Sequence, residues 1–138
     1  MAVQAGAGAG KVGLSYQVGR IKAARFFYDF AVEGGAVGAI TLRGETIPAG
    51  SLVLATYVDV NTVVTSGGAA TVSLDIEAAA DVRAAATLAT APALSTATPK
   101  EALNTIRTTA VRSVVATVGT AALTAGKFSV VVTYVELA

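Results

Sequence analysis

The chain of 138 residues contains no cysteine, no histidine and no tryptophan. Without cysteine there is no disulfide framework, and no thiolate for a nucleophile or a zinc site. Without histidine, the commonest general acid or base and the commonest imidazole ligand are both missing. Carboxylates and lysines remain, so these absences weigh strongly against catalysis without forbidding it. Charge is scarce as well: 14% of residues are charged, against a usual share of about 25%. Long apolar runs are lacking, since no stretch approaches the roughly 18 uninterrupted apolar residues that a membrane helix needs. The N-terminus has no basic segment followed by a leucine-rich one, so it does not read as a secretory signal. Cytoplasmic synthesis followed by assembly is the expected course.

What is present is a chain that must bury much of itself. Hydrophobic residues make up 54% and the mean hydropathy is +0.66. The apolar stretches are short, rich in Val and Ala, and broken by Thr, Gly and charges. With so few charges to keep the chain apart from others, part of its apolar surface is expected to meet partners. An alanine-rich but ordinary monomer is the alternative. The length fits one domain with one core.

Charge is segregated along the chain. Lys11, Arg20, Lys22 and Arg25 precede the first acid, Asp29, while the remainder holds six basic and nine acidic side chains. Ala5 to Gly10 alternates Gly and Ala, a composition that is flexible in isolation. Residues 1–25 therefore read as a flexible basic N-terminal arm on a mildly acidic body, residues 26–138. Such an arm can order itself on a negatively charged surface. A frayed tail with incidental charges explains the same pattern.

The body reads as strands. Phe26, Tyr28, Phe30 and Val32 alternate with Phe27, Asp29, Ala31 and Glu33, with Gly34-Gly35 closing the run. Val37 to Leu42 is a short strand. Ile47-Pro48-Ala49-Gly50 predicts a type I turn, leading into a long strand from Ser51 to Val64. After a turn at Ser66-Gly67-Gly68, Thr71 to Glu77 alternates cleanly: Val72, Leu74 and Ile76 on one face, Thr71, Ser73, Asp75 and Glu77 on the other. Residues 78–91 favour a short helix or an irregular loop, with Asp81 as a cap. Pro92 and Pro99 bound a Ser/Thr/Pro-rich connection, and residues 101–107 are ambiguous between helix and strand. Arg112 to Thr120 is a strand, Thr124-Ala125-Gly126 a turn, and Lys127 to Leu137 the last strand, with Phe128, Val130, Val132 and Tyr134 on one face. Several short strands with turn signals between them predict a mostly β fold, an antiparallel β-sandwich or jelly roll, with a barrel as the alternative. The Ala-Gly pairs at 49–50 and 125–126 each lead to a strand containing Thr-Tyr-Val. Tyr57 and Tyr134 sit out of register by one residue, so the two are not a true repeat.

Motifs of catalysis fail on inspection. Gly10-Lys11 lacks the glycine five positions earlier and the hydroxyl residue after the lysine that a phosphate loop needs, since Ala5 and Val12 stand there. No Ser-x-x-Lys offers a histidine-free serine nucleophile; Lys11, Lys22, Lys100 and Lys127 read as arm, loop or turn. Asp75 and Glu77, with Asp59 on a neighbouring strand, could hold calcium, but a solvated sandwich face explains them more simply. No metal or other cofactor is expected. Four basic residues around Tyr16 are a thin footprint for nucleic acid, and the aromatics from Phe26 to Phe30 alternate as core.

Three stretches carry a resemblance: Thr46 to Leu54, Gly67 to Ile76, and Leu123 to Val135. Together, over roughly residues 40–137, they resemble small virion structural proteins of tailed double-stranded DNA bacteriophages, of the capsid decoration (cement) type. The resemblance implies a non-enzymatic β-sandwich that binds the outer surface of an assembled capsid. Its partner would be the major capsid protein, and its unit a homo-oligomer, commonly a trimer at local threefold positions. It supplies no catalytic residues. Other phage parts (a head fibre base or a tail protein) and a carbohydrate-binding sandwich module are the competing readings. Such modules usually display Trp or Tyr platforms, whereas the chain has no Trp and four dispersed Tyr. On charge segregation alone, Lys11, Arg20, Lys22 and Arg25 are the expected capsid-contact residues. Neither a membrane nor a direct nucleic-acid partner is expected.

Overall fold

The computed structural model describes residues 20–87 and 106–137. Its elements run β1 (Ile21–Asp29), α1 (Phe30–Glu33), β2 (Gly38–Thr41), β3 (Arg43–Gly44), β4 (Ser51–Ser66), β5 (Thr71–Asp75), β6 (Arg83–Thr87), β7 (Ile106–Arg107), β8 (Val115–Gly119) and β9 (Leu123–Glu136). They form two antiparallel sheets, ordered β3-β1-β9-β4-β7 and β2-β8-β5-β6. The chain is a β-sandwich, as its alternating strands predict.

The core lies between the sheets. β9 is the central strand of the larger sheet, and its Phe128, Val130, Val132 and Tyr134 all point inward. They meet Ala24, Phe26 and Tyr28 of β1, and Val72, Leu74, Ala116 and Val118 of the smaller sheet, in one apolar cluster. The Tyr28 and Phe128 rings stack with centroids 5.0 Å apart. Every second residue from Ala24 to Tyr28 in β1 and from Phe128 to Tyr134 in β9 is thus committed to the core, which fixes what the residues between them present outside.

The structure corrects several expectations. β1 begins at Ile21 and pairs with β9 over nine positions, from Ile21 opposite Val135 to Asp29 opposite Lys127. The strand therefore crosses the boundary placed between residues 25 and 26, and Lys22 and Arg25 belong to the sheet. At its other end the strand stops at Asp29, and Phe30–Glu33 form a helical turn instead of continuing it. The cause is local: the Asp29 side chain accepts from the Ala31 N–H at 3.0 Å, and Glu33 accepts from the Asp29 N–H at 2.6 Å. Gly34, at φ 75°, closes the turn.

The turn after Ile47 falls one residue later than its proline suggests. Gly50 has φ 75° and takes the third position of a type II turn, which requires a positive φ. Buried Thr108 holds it there: its hydroxyl accepts from Ser51 N–H at 2.9 Å and donates to the Pro48 carbonyl at 2.7 Å. Residues 83–87 are a strand where alanine content favours helix. The Asp81 carboxylate accepts the N–H groups of Ile76, Glu77 and Ala78, at 2.8 to 2.9 Å. That folds the chain back, so that Arg83 to Thr87 pair with β5; tertiary pairing overrides propensity. Residues 88–105 lie outside the described residues.

Thr124-Ala125-Gly126 is not a turn but part of β9. The reversal comes earlier, at residues 120–122, where Thr120 has φ 71°. Register shifts against β4 show that the small residues serve a bulge. Asp59 does not join Asp75 and Glu77, because β4 and β5 belong to different sheets.

Candidate interaction surface

No set of three or more acidic, histidine or cysteine side chains that could hold a metal occurs among the described residues. The acidic residues are used otherwise. Asp75 accepts from Ala80 N–H at 2.5 Å and from Thr117 Oγ1 at 3.2 Å. Glu77 takes Thr109 and both ends of the Arg112 guanidinium. The exposed aromatic residues lie on the outer face of the larger sheet.

That face follows from β1. With Ala24, Phe26 and Tyr28 turned inward, Ile21, Ala23, Arg25 and Phe27 turn outward. The pairing carries the row across the sheet: Arg25 lies opposite Val131, which lies opposite Tyr57, and Phe27 lies opposite Ser129, which lies opposite Asp59. Ile21 is 65% exposed, and Phe27 and Tyr57 are each 38% exposed. The face is therefore apolar and aromatic, with Arg25 in the middle of it.

The basic residues of β1 and its neighbours each have a definite setting, and Lys22 falls in the opposite parity to Arg25. The Arg25 guanidinium lies over the Phe27 ring, 5.0 Å from its centroid, and a terminal NH2 reaches Ser129 Oγ at 3.5 Å. Lys22 Nζ lies 2.8 Å from Glu136 Oε1 in a half-exposed pair, which contributes little stability. The hydrogen bond and charge of Glu136 hold the Lys22 pKa above the ordinary lysine value. Lys127 pairs with Asp29 at 3.1 Å; this contact, then the Ala31 N–H, holds the Asp29 carboxyl below the usual aspartate range. Arg43 pairs with Glu33. Arg20 is exposed just before β1, and Lys11 lies outside the described residues.

Arg25, Arg43 and Lys127 converge. They line a cleft of about 310 Å³ together with Phe27, Asp29 and Asn61. β3 brings Arg43 there by pairing it with Phe27. A bulge brings Asn61: Lys127 pairs with Thr62 and Phe128 with Val60, so Asn61 is the extra residue. Of the expected contact residues that are described, only Arg25 lines this cleft; Lys22 is spent on Glu136. Arg43 and Lys127 went unrecognised in the sequence because they come from separate strands. The readable signal was the alternation itself, which, extended back to Ile21, places Arg25 and Phe27 side by side outside.

No known protein family matches the chain, and no curated protein does. Two solved structures match its fold. A chain of the acidic stable capsid structure of Helicobacter pylori bacteriophage KHP30 superposes with a TM-score of 0.58 at 21% identity, covering 86% of this chain and 89% of that one. A chain of the cyanophage Pam1 capsid asymmetric unit gives a TM-score of 0.52 at 22% identity, covering 85% of each chain. At these identities the likeness is one of fold.

Proposed function

We propose that this chain is a structural component of a tailed-bacteriophage shell, and within that class a decoration (cement) protein. The observation that carries the reading is the match to chains of two phage capsids over nearly the whole length of both partners. Nearly equal coverage also means that the matched chains are of similar length, so the likeness is to small capsid chains rather than to a piece of a large one.

In this reading the protein turns over no substrate. It binds the major capsid protein on the outer surface of the assembled virion, as a homo-oligomer for which a trimer is favoured. The physical logic is linkage. A ligand that binds the assembled lattice and not the free subunits stabilises the lattice by mass action. Several weak contacts per oligomer then act together. The apolar outer face and the scarcity of charge suit such a role. The residues before β1, with Lys11 and Arg20, together with Lys22 and Arg25 on the strand, remain the proposed contact set. A glycan-binding role is disfavoured by the tyrosines: Tyr28 and Tyr134 are in the core, leaving Tyr57 as the exposed one among the described residues.

The test is co-sedimentation of the purified chain with expanded, undecorated shells, alongside its solution mass by light scattering. Saturable binding by a multimer, with a rise in the shell's melting temperature, is the expected result. A monodisperse monomer that leaves the shell unbound would overturn the proposal.

A further inference from the structure

The cleft on the outer face holds three cations, and they are not equivalent. Lys127 and Arg43 already face carboxylates, those of Asp29 and Glu33. The Arg25 guanidinium has no carboxylate within ion-pair distance among the described residues; its contacts are the Phe27 ring and a long hydrogen bond to Ser129, while the Arg25 backbone N–H donates to Glu45 Oε1 at 2.9 Å. A guanidinium carries five N–H donors in a planar fork that matches a carboxylate in two parallel bonds. Arg25 leaves most of that fork unused. Stacking on Phe27 fixes its plane, so little rotamer freedom is left to lose on binding. Lys127 and Arg43 on the same cleft are offset by Asp29 and Glu33, which leaves the Arg25 guanidinium as its uncompensated cation.

We propose that this cleft is a carboxylate receptor: an Asp or Glu side chain of the neighbouring shell protein enters it and takes the Arg25 fork in two hydrogen bonds. The residues flanking that acid are apolar and rest on Phe27 and Tyr57. The positive cleft calls for an acidic partner, and the exposed aromatics beside it call for apolar neighbours. This deepens the shell-binding reading and rests on it for the identity of the partner. It also separates the expected contact residues: Arg25 is the specific contact, whereas Lys22 is held by Glu136.

Two measurements test it on the full chain. The first compares Arg25→Gln and Arg25→Lys with wild type in co-sedimentation with undecorated shells. Losing a charge-assisted pair costs roughly tenfold or more in affinity. Arg25→Gln is expected to bind at least that much more weakly, and Arg25→Lys, which keeps the charge but not the fork, to recover part of the loss. The second is an NMR titration with the peptide acetyl-Leu-Asp-Glu-Leu-amide, following the Arg25 Nε–H and the Phe27 ring. Saturable shifts are expected with this peptide and not with its Asn-Gln analogue. Wild-type affinity of Arg25→Gln for shells would overturn the proposal, as would an Arg25 signal unmoved by the peptide, or one moved more by a DNA oligonucleotide. If the wild type failed to bind shells at all, the shell reading would fall, and the peptide titration alone would decide the cleft.

Discussion

The Arg112 guanidinium grips the Glu77 carboxylate with both ends, Nε at 2.8 Å from Oε2 and NH2 at 2.7 Å from Oε1. Thr109 completes the set, donating its N–H and its hydroxyl to the same carboxylate at 3.1 and 2.6 Å. The segment after β5 is thereby tied to the loop before β8. The Arg112 hydrogen bonds, then the Thr109 hydroxyl, pull the Glu77 pKa from 4.5 down to about 2.

A pH dependence follows with a definite sign. The folded-state pKa lies below the unfolded one, so the unfolded chain binds the extra proton first as the solution is acidified. The Glu77 contribution is fully present above pH 4.5 and is lost as pH falls toward about 2. Melting curves of wild type and Glu77→Gln should differ by a constant amount above pH 4.5 and converge toward pH 2. A gap that widened on acidification would contradict this.

Tyr28 sets the opposite limit. Burial, followed by the charges of Glu33 and Asp29, pushes its phenol from 10 up to about 12. The protonated phenol donates to the Gly34 carbonyl at 2.8 Å. Because the folded pKa is raised, this contribution is whole below pH 10 and is lost as pH rises through about 12. An ultraviolet titration should show one tyrosine ionising near 12, absent in Tyr28→Phe. The Phe variant should lose about 1 kcal/mol at neutral pH.

Gly126 is required by a close approach. Its φ is 142°, and a Cβ there would lie 2.8 Å from the Cα of Val64. Ala125 pairs with Thr65 and Lys127 with Thr62, so this one glycine faces two residues of β4 across the bulge. Gly126→Ala should lower stability in urea by about 1–3 kcal/mol. Gly67→Ala, where the nearest atom is 4.0 Å away, should stay within about 0.5 kcal/mol of wild type.

Much of the fold is readable from alternation, and the failures share a cause. β5 is legible because its inward residues are large aliphatics and its outward ones polar, and β9 because it is a β-branched and aromatic run whose Phe128 and Tyr134 share one face. β1 is only half legible: Ile21 to Arg25 carry two cations among small residues, and they become strand by pairing with β9 rather than by their own pattern. β6 is alanine at its centre, and its strand form depends on Asp81 gathering three N–H groups three to five residues back along the chain. Gly126 signals a special backbone position correctly, but composition alone does not separate a turn from a bulge. The cleft was hidden for a geometric reason: Arg25, Arg43 and Lys127 are brought together by strand pairing, which no local window contains.

Thr108 provides a test of how the edge of the larger sheet is held. Its hydroxyl serves both Ser51 N–H and the Pro48 carbonyl in a buried position. Thr108→Val keeps the shape and leaves the Ser51 N–H unpaired, while the Ser51 hydroxyl still donates to the Pro48 carbonyl at 2.7 Å, so it should cost about 1–3 kcal/mol. Hydrogen exchange at the Ser51 amide should accelerate more than at Val130 in the central strand. Equal acceleration at both would mean that the variant weakens the fold as a whole.

The adjacency of β1 and β9 has a mechanical consequence. Ile21 lies opposite Val135, so the incoming end of β1 and the outgoing end of β9 sit side by side at one end of the sandwich. A pull that separates these two ends opens the strand pair one rung at a time, and the resisting force never exceeds that of a single rung. A pull on residue 20 directed against the far end of the sheet, near Lys127, loads all nine paired positions in shear together. The same strand pair is therefore weak as a zipper and strong as a tether. In the proposed role, a swelling shell would be restrained only where its tension runs along β1 rather than across it.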